Sequence, residues 1–546
     1  MAKMGGILIS IVQQREYILK QEEDSGGTFL HQTCLQCDRS ENLALHLLGE
    51  STALSYGALD AASLTFALHL QAAGIGKGTR IAVLAGVSAE FVVALLAVSR
   101  CGAAFSPVDT SLRGISLSSL MERLRPDAVI TTKAYVQRVF DVLGEGFSVF
   151  VFSGRRFCAQ EAGLWGDWRQ GAECRQWRLP FTLPDRAFAS PLPPESMPDD
   201  DLLLMPTSGS TGEQKFVRLS HRALLFNTRA HVASFGIVGP FKALQILEVS
   251  YSYGLIASVL GVLVAGGSLV IPAHNTARSV REAIETARPE ICLGSPALFD
   301  YLIDNCSEKE RVVFRHLRKI GIGGDRCRAP LREKISAAFP EAEVFVTYGV
   351  TEAGPRVSTL PAGQLLLRPD SVGLPLEGIA VEVVDTEGKP CPPGKEGVLR
   401  VRTPSRMNGY LFDDTPLEPD GWITLGDLAS LDEAGYLTIH GRRDRQIKHR
   451  GRRINLAQIE KVLESLAGVV LAKVEVDNGM DRLRAVVFHR AGESSDFERQ
   501  LVVHCRRNLP PRLVPEEITL RSADGMYFFK GRPLSLSGSQ RAFGEK

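Results

Sequence analysis

The sequence lacks a charge excess of either sign, which limits the partners it can attract. Its 546 residues carry 63 Lys and Arg against 62 Asp and Glu, a formal net charge of +1. Such a chain has no overall field that would attract nucleic acid or an anionic membrane, so any anion must be bound locally. We therefore predict no nucleic-acid partner.

Cysteine is also sparse. The ten cysteines are scattered, without the density or spacing of a disulfide framework. This pattern suits a reducing compartment, and we predict a cytoplasmic protein. Cys34 and Cys37 form a lone CxxC pair with no second ligand pair behind it, so we interpret them as inert thiols rather than zinc ligands.

The sequence lacks an uninterrupted apolar run of the length of a membrane span. The longest, Leu255–Pro272, is divided by Gly266, Gly267 and Ser268. We therefore predict a buried helix, a turn and a strand, and no transmembrane segment. The short apolar run near the N-terminus is followed by charged residues rather than a cleavage site, so no signal peptide is expected.

The composition is that of a globular protein, and the length of 546 residues exceeds that of one ordinary domain. Hydrophobic residues make up 44% and charged residues 23% of the chain, close to the average for soluble proteins. Between Tyr56 and Asp109, helical and strand patterns alternate twice. Such alternation predicts an α/β fold with parallel sheet covered by helices.

A smaller unit is predicted after the dense charge near residues 442–453. A helix pattern at Ile459–Leu466 precedes strand patterns at Val469–Val476 and Leu483–His489. A helix packed with strands is typical of a small α+β module. We predict a large body at residues 1–442 and a C-terminal domain at residues 443–546.

The most informative segment is TSGSTG, which ends an apolar strand and is followed by a lysine. Glycines let backbone N–H groups approach a polyanion, hydroxyls add donors, and the lysine supplies positive charge. Neither GxxxxGK[ST] nor GxGxxG is present here, so a P-loop or dinucleotide fold is not predicted. A solvated Ser/Gly linker is the alternative. The predicted phosphate cradle comprises Thr207, Ser208, Gly209, Ser210, Thr211, Gly212 and Lys215.

This loop resembles the signature of the adenylate-forming superfamily, which includes acyl-CoA synthetases, nonribosomal peptide adenylation domains and beetle luciferases. Gln214 and Phe216 replace the usual Pro and Gly. Further segments match in order: LSYGAL (Leu54–Leu59), CGAAFSPVD (Cys101–Asp109) and LPPRLVP (Leu509–Pro515). The resemblance implies a large N-terminal domain of helix-covered, mostly parallel sheets and a small mobile α+β C-terminal domain.

The resemblance also assigns roles in TYGVTEAGP, which runs from Thr347 to Pro355. It implies that Tyr348 stacks on adenine, Thr351 contacts the α-phosphate and Glu352 ligates Mg²⁺. A carboxylate with phosphate oxygens suits this hard cation.

A second group of roles concerns adenine and the acyl chain. In GIGGDR, the resemblance places Gly323, Gly324 and Asp325 beside the adenine, with Gly323 also bordering the acyl pocket. It places Tyr251 and Gly254 in the same acyl pocket.

The segments GWITLGD and GRRDRQIKHRGRRI supply the remaining nucleotide and hinge residues. The resemblance implies that Asp427 binds the ribose hydroxyls and that Arg442 reaches the ribose and phosphates as a charged fork. Asp444 falls on the hinge position, and Gly451 borders the tunnel for the pantetheine thiol. Rotation about the hinge would let one site serve two half-reactions.

The catalytic lysine is expected near the C-terminus. Members usually carry a Gly-Lys there, whose ammonium bridges the carboxylate and the α-phosphate. Here Phe529 replaces the glycine, and Lys530 is the predicted lysine. The predicted catalytic set is therefore Lys530, Thr351, Glu352 and Lys215.

The resemblance implies ATP- and Mg²⁺-dependent activation of a small carboxylic acid, followed by transfer to the thiol of CoA or of phosphopantetheine. EVSYSYGL, from Glu248 to Leu255, lacks the Asp that amino-acid-activating relatives use to pair a substrate ammonium, so a fatty or aryl acid is favoured. No carrier domain follows Lys546, so a carrier protein is expected to act in trans. Two alternatives remain open: an amide-forming ligase with an amine acceptor, and a degenerate adenylate-binding relative.

Overall fold

The computed structural model describes the chain from residue 29 to residue 533 with gaps. The described residues are 29–36, 39–50, 52–143, 148–152, 174–177, 196–207, 215–237, 239–413, 415–443, 446–449, 452–477, 482–490, 497–509, 513–523, 526, 528–529 and 532–533.

The strands of the larger part are β1 (Leu43–Leu47), β2 (Thr52–Ser55), β3 (Arg80–Leu84), β4 (Ala104–Pro107), β5 (Ala128–Thr132), β6 (Ser148–Phe152), β7 (Cys174–Trp177), β8 (Asp201–Thr207), β9 (Lys215–Ser220), β10 (Lys242–Leu244), β11 (Ser268–Ile271), β12 (Ile291–Gly294), β13 (Lys319–Ile322), β14 (Glu343–Tyr348), β15 (Ser358–Leu360), β16 (Ser371–Pro375), β17 (Ala380–Val384), β18 (Gly397–Arg402), β19 (Gly409–Tyr410), β20 (Trp422–Leu431) and β21 (Leu437–Arg442). They are followed by β22 (Gln446–His449), β23 (Arg452–Asn455), β24 (Val469–Asp477), β25 (Arg482–His489), β26 (Glu517–Ser522), β27 (Phe528–Phe529) and β28 (Arg532–Pro533).

The α-helices are α1 (Leu30–Cys34), α2 (Tyr56–Ala72), α3 (Ala89–Arg100), α4 (Gly114–Leu124), α5 (Val136–Val142), α6 (His221–Ser234), α7 (Gly261–Ala265), α8 (Ala277–Ala287), α9 (Pro296–Asp304), α10 (Ala329–Ala338), α11 (Leu456–Glu464) and α12 (Phe497–Asn508). A π-helix spans Tyr253–Leu260, and 3₁₀ turns span Glu310–His316 and Thr351–Ala353.

Two large sheets carry the body. In the described residues, one has the order β19-β9-β8-β4-β3-β5-β6-β7, and β8 to β7 run parallel. The other runs β17-β18-β20-β21-β16-β15-β14-β13-β12-β10-β11-β1-β2, with a parallel centre from β14 to β1 and antiparallel strands on both sides. The parallel parts have continuous apolar strands because helices cover them. The predicted α/β class is confirmed, with mixed sheets.

Local signals position the helices between these strands. The hydroxyl of Ser55 accepts a hydrogen bond from Ala58 N at the start of α2, and Ser88 accepts one from Phe91 N at the start of α3. Both caps satisfy amide groups that the first helical turn leaves unpaired. Gly74 follows α2 at a positive φ of 85°, which a glycine adopts without strain.

The long apolar stretch at Leu255–Pro272 is a buried core element, as predicted. It continues from the π-helix into α7, turns at Gly266 with a φ of 76°, and re-enters the sheet as β11. Among helices of the described residues, none combines the length and apolar character needed to cross a membrane.

The C-terminal part contains a small sheet with its own core. Strands β24, β25 and β26 form this sheet, and helices α11 and α12 supply apolar residues that include Ile459, Leu463 and Leu501. The predicted helix and two strands are therefore present. The boundary at residue 443 and the mobility of the unit stay predictions.

Charged side chains join this unit to the body. Arg490 contacts both Asp300 and Asp304 on α9, with Arg490 Nη2 and Asp300 Oδ2 2.8 Å apart. Lys334 on α10 contacts the same two carboxylates. Arg328 donates to the carbonyls of Glu464 and Val470 in the C-terminal unit. The carboxylates of Asp300 and Asp304 thus each contact Arg490 from the C-terminal unit and Lys334 from the body.

Candidate active site

The predicted phosphate loop connects two paired strands. Strand β8 ends at Thr207 and β9 begins at Lys215, and these two residues are antiparallel partners. The hydroxyl of Thr207 donates to the carbonyl of Lys215 at 3.3 Å. The predicted cradle residues Ser208–Gly212 lie outside the described residues, and their phosphate-binding role stays a prediction.

Lys215 is directed at the segment that follows β19. Its Nζ lies 3.0 Å from Asp413 Oδ2 and 4.7 Å from the ring centroid of Tyr410. Hydrogen bonds from Thr415, followed by one from Lys215, lower the pKa of Asp413 to about 2. Because the lysine and the aspartate are both partly exposed, their ion pair is weak. A phosphate could therefore displace Asp413 from Lys215 at little cost.

Tyr410 connects this lysine to Glu352. Its hydroxyl donates to Glu352 Oε1 at 3.0 Å, while the amide of Met407 donates to the Glu352 carbonyl at 3.0 Å. Burial, followed by the charge of Glu352, raises the pKa of Tyr410. Tyr410 is held in place because β19 pairs with β9, where it lies opposite Val217.

Tyr348 and Asp427 form the other side of the site. The Tyr348 hydroxyl donates to Asp427 Oδ2 at 2.5 Å, and Asp427 is 6% exposed. Asp427 on β20 is the strand partner of Arg442 on β21. Burial, then Asp427, and more weakly Glu352, raise the pKa of Tyr348 well above its usual value. The predicted ribose ligand is therefore held by the tyrosine that ends β14, the strand that leads to the predicted magnesium ligand.

Arg442 lies at the exposed end of β21. Its positive charge opposes the pKa increases of both Tyr348 and Tyr410. A Cβ at Gly426 would lie 2.8 Å from Arg442 Nη2. The glycine before Asp427 thus makes room for the guanidinium.

The predicted acyl-pocket residues lie beside the same segment. The hydroxyls of Ser252 and Thr351 are 3.0 Å apart, which joins the start of the π-helix to the 3₁₀ turn. A Cβ at Gly323 would contact Thr347 Oγ1 and would lie 3.0 Å from the Tyr253 ring. Because the space around Gly323 is filled by these two side chains, a larger residue would displace them.

The other two residues predicted to line the acyl pocket, Gly254 and Tyr251, lie at and just before the start of the π-helix. A Cβ at Gly254 would collide with the carbonyl of Glu248. Tyr251 is half-buried, and its carbonyl accepts a hydrogen bond from Leu255 N at 3.0 Å. Both residues therefore shape the entry into the π-helix.

The remaining predicted positions are Gly324, Asp325, Asp444, Gly451 and Lys530. Gly324, with a φ of 80°, and Asp325 form an exposed turn after β13, and the Asp325 carboxylate accepts from Arg326 N at 2.8 Å. Asp444, Gly451 and Lys530 lie outside the described residues. Their hinge, tunnel and catalytic roles stay predictions.

Sequence reasoning missed three side chains that build the cluster: Tyr410, Asp413 and Tyr253. Tyr410 and Asp413 belong to NGYLFDD, a segment without an obvious chemical pattern. Only the pairing of β19 with β9 brings them to Lys215.

The predicted magnesium site offers one carboxylate, that of Glu352, so phosphate oxygens and water would have to complete the coordination of the ion. Within the described part of the chain, no group of three or more His, Cys, Asp or Glu side chains could hold a metal by itself. Mg²⁺ commonly takes one or two carboxylates together with phosphate oxygens and water. The single carboxylate of Glu352 is suited to such a shared site.

Comparison with known proteins identifies the family. A family profile described as AMP-binding enzyme matches residues 35–411, more than half of the chain. The chain belongs to the family of AMP-binding enzymes. The predicted resemblance to adenylate-forming enzymes is confirmed.

Individual AMP-binding enzymes and related proteins match over most of this chain. It is 26% identical over 487 residues to "Chalcone synthase cfoA" of Aspergillus candidus, covering 86% of this chain and 17% of that protein. This chain thus spans less than a fifth of the length of that relative. It is also 26% identical over 501 residues to a long-chain-fatty-acid–CoA ligase of Escherichia coli O6:H1, covering 86% of each.

A solved structure supports the fold of this AMP-binding enzyme. The anthranilate CoA ligase AuaEII, in complex with anthranoyl-AMP, superposes with a TM-score of 0.75 at 18% identity. The match covers 90% of this chain and 93% of that one.

Proposed function

We propose that this AMP-binding enzyme activates a carboxylic acid as an acyl-adenylate at the expense of ATP and then transfers the acyl group to a thiol. The observation that carries the proposal is the pairing of the buried Asp427 with the hydroxyl of Tyr348, which is close in the chain to Glu352, whose carboxylate is held by Tyr410. A nucleotide bound there would have a carboxylate for its ribose and another for the cation on its phosphates. The named CoA ligase relative supports the same reaction class.

The proposed chemistry has two balanced steps. A carboxylate oxygen attacks the α-phosphorus of ATP, and pyrophosphate leaves. The thiol then attacks the carbonyl carbon of the mixed anhydride, loses its proton and expels AMP. Activation is needed because the charge and resonance of a free carboxylate make it a poor electrophile.

The chain's own residues would stabilise negative charge at each stage. Lys215, released from Asp413, would hold the terminal phosphates together with the loop that it ends. Tyr410 would keep the Glu352 carboxylate oriented, and Thr351 would donate to the α-phosphate. Lys530 is the proposed partner of the reacting carboxylate. A bound Mg²⁺ would neutralise charge on the departing pyrophosphate.

The acid is proposed to be one without an α-ammonium group. The segment from Glu248 to Leu255 carries no Asp, and the Tyr251 and Tyr253 side chains occupy that region. The carboxylate of the segment, Glu248, is exposed. An ammonium buried against the tyrosines without an ion-pair partner would cost several kcal/mol, on the order of that measured for broken buried pairs. Fatty or aryl acids are therefore favoured.

Acid-dependent exchange of labelled pyrophosphate into ATP tests the first step. The purified protein should catalyse exchange in the presence of Mg²⁺ and at least one non-amino acid, and not in the absence of acid. Tight ATP binding without exchange for any acid of a broad panel would instead favour the degenerate relative.

Product analysis tests the acceptor. With the preferred acid, ATP and CoA or a phosphopantetheine-bearing carrier protein, we expect a thioester and AMP. The amide-forming alternative requires an amide with added amines and no thioester with any thiol. Mass spectrometry of the products separates the two outcomes.

A further inference from the structure

Arg356, directly after Pro355, is the largest of the fully buried side chains of the described residues, with an exposed fraction of 1%. Its guanidinium carbon lies 3.9 Å from the ring centroid of Tyr253. Nε donates to His231 Nδ1 at 3.3 Å, and Nη1 donates to the Pro355 carbonyl at 2.9 Å. Within the described residues, Nη2 has no hydrogen-bond partner.

Among the described residues, no carboxylate balances the positive charge of Arg356. No described Asp or Glu forms an ion pair with it, and its three contacts are a ring, an imidazole and a carbonyl. Burial, followed by Arg356 itself, lowers the pKa of His231 well below its usual value, so this histidine is neutral. Burial lowers the pKa of Arg356 only to about 10, so the guanidinium stays charged at neutral pH.

Another buried arginine shows what a purely structural role looks like. Arg332 is 2% exposed, and its Nε, Nη1 and Nη2 donate to the carbonyls of Cys327, Arg368 and Ser371, each at 3.0 Å. All three of its nitrogens are used. A buried charge with an unused donor, such as Arg356, is costly and needs another explanation.

The location of Arg356 supplies that explanation. The Tyr253 ring that it covers is the ring that would lie 3.0 Å from a Cβ at Gly323, and Gly323 borders the proposed acyl pocket. The Tyr253 hydroxyl is occupied by the Gly321 carbonyl at 2.9 Å. The stacked guanidinium thus lies against the ring that adjoins Gly323 at the predicted acyl pocket, and its Nη2 is unused within the described residues.

We propose that Arg356 binds a second carboxylate on the acid substrate, so that the enzyme activates a dicarboxylic acid at one of its two ends. This inference rests on the proposed acid-activating function and narrows its substrate class. Arg suits the role because its planar donors match a carboxylate, and a fixed guanidinium loses little freedom when it binds. The substrate would supply the anion that the buried charge lacks.

Matched acids test the proposal in the pyrophosphate-exchange assay. The panel pairs each linear diacid from malonate to adipate, and each of isophthalate and terephthalate, with its monomethyl ester. The ester keeps the reacting carboxyl and removes only the second charge. For the wild type, we expect kcat/KM to favour at least one diacid over its half ester by about tenfold or more.

Three variants locate the effect. Arg356→Met should lose the diacid preference and retain or improve activity on half esters, and Arg356→Lys should keep part of the preference. Arg332→Met, the matched control, should keep the wild-type ratio of diacid to half ester even though it lowers the melting temperature. Because it removes an unbalanced buried charge, Arg356→Met should raise the melting temperature of the ligand-free protein or leave it unchanged.

The outcomes separate this inference from the function on which it rests. Exchange that is equal for diacids and half esters, or found only with monoacids, overturns the inference and leaves the ligase function standing. An equal loss on all acids in a folded Arg356→Met protein also overturns it, since Arg356 would then serve the reacting carboxyl or the fold. Absence of exchange with every acid overturns both.

Discussion

The hydroxyl of Tyr410 lies 3.0 Å from Glu352 Oε1, and it joins a short outer strand to the turn that carries the predicted magnesium ligand. The ring of the same tyrosine faces Lys215 Nζ. One side chain therefore orients a carboxylate and borders the lysine that is proposed to hold phosphate.

We expect Tyr410→Phe to lower pyrophosphate exchange by about tenfold at limiting Mg²⁺, because a hydrogen bond to a charged group contributes roughly 1.5–3 kcal/mol. The ring beside Lys215 is kept, so ATP binding should change little. Exchange rates across a Mg²⁺ titration measure the effect. Tyr436→Phe, which keeps the ring stacked on Arg368, is the control. Equal rates for wild type and Tyr410→Phe at every Mg²⁺ concentration would contradict the prediction.

Asp427→Asn should weaken ATP binding by about tenfold or more. The substitution removes a buried charge that accepts the Tyr348 hydroxyl and is proposed to accept the ribose hydroxyls. Calorimetric titration with a non-hydrolysable ATP analogue gives the dissociation constant. Asp432→Asn, one residue beyond the end of the same strand and paired with Arg368, should bind the analogue as the wild type does. Unchanged affinity in Asp427→Asn would remove Asp427 from the nucleotide site.

Asp413 competes with phosphate for Lys215 in the proposed site. Asp413→Asn should therefore tighten ATP binding by about two- to fivefold, in line with the roughly 0.2–1 kcal/mol of an exposed ion pair. Lys215→Ala should weaken it by about tenfold. In the Lys215→Ala background, Asp413→Asn should have no further effect, which a double-mutant cycle on dissociation constants checks. An equal effect of Asp413→Asn in both backgrounds would show that the two residues act independently.

Stability should fall as the pH drops from about 6.5 towards 4, partly through His221. This residue is 1% exposed, its Nδ1 accepts from Leu30 N at 3.2 Å, and burial lowers its pKa to about 4 against weaker opposition from Asp200. The unfolded chain takes up the proton first, so the stabilisation present above pH 6.5 is lost by about 1.4 kcal/mol per unit below it.

Urea unfolding at several pH values tests this for His221→Asn, whose pH dependence should be shallower than that of the wild type. It should not vanish, because burial also lowers the pKa of His31 and His231. The exposed His274 provides the control substitution. A slope equal to that of the wild type in His221→Asn would show that this histidine does not control acid stability.

Lys530→Ala should abolish acid-dependent pyrophosphate exchange and spare thioester formation from a preformed acyl-adenylate. The lysine is proposed to stabilise charge only in the first step. The two half-reactions are measured separately on the same preparation. Unaltered exchange in this variant would show that another lysine performs the role.

Much of the fold and part of the site could be predicted because their signals are local. Ser88 caps its helix as expected, and TYGVTEAGP does place Tyr348 and Glu352 at the end of a central strand. Each of these depends on neighbours within a few residues. The family match confirms the fold and the reaction family that such segments indicated.

The rest of the site depends on contacts between distant parts of the chain. Tyr410 is 58 residues from Glu352, and Asp413 is 198 residues from Lys215. Arg356 directly follows the TYGVTEAGP motif. Nothing in the neighbouring residues indicates that this arginine is buried or that one of its nitrogens has no hydrogen-bond partner among the described residues. Burial of that kind arises only once the sheets and the π-helix have packed together.

The carboxylates of Asp300 and Asp304 have a consequence for any motion of the C-terminal unit. They hold Arg490 from that unit and Lys334 from the body at once. If Arg490 withdraws, Lys334 still contacts both carboxylates and offsets one of their two negative charges, so undocking leaves one uncompensated charge on α9 rather than two. Because ion pairs form this junction, its strength should depend on ionic strength far more than that of an apolar seam would.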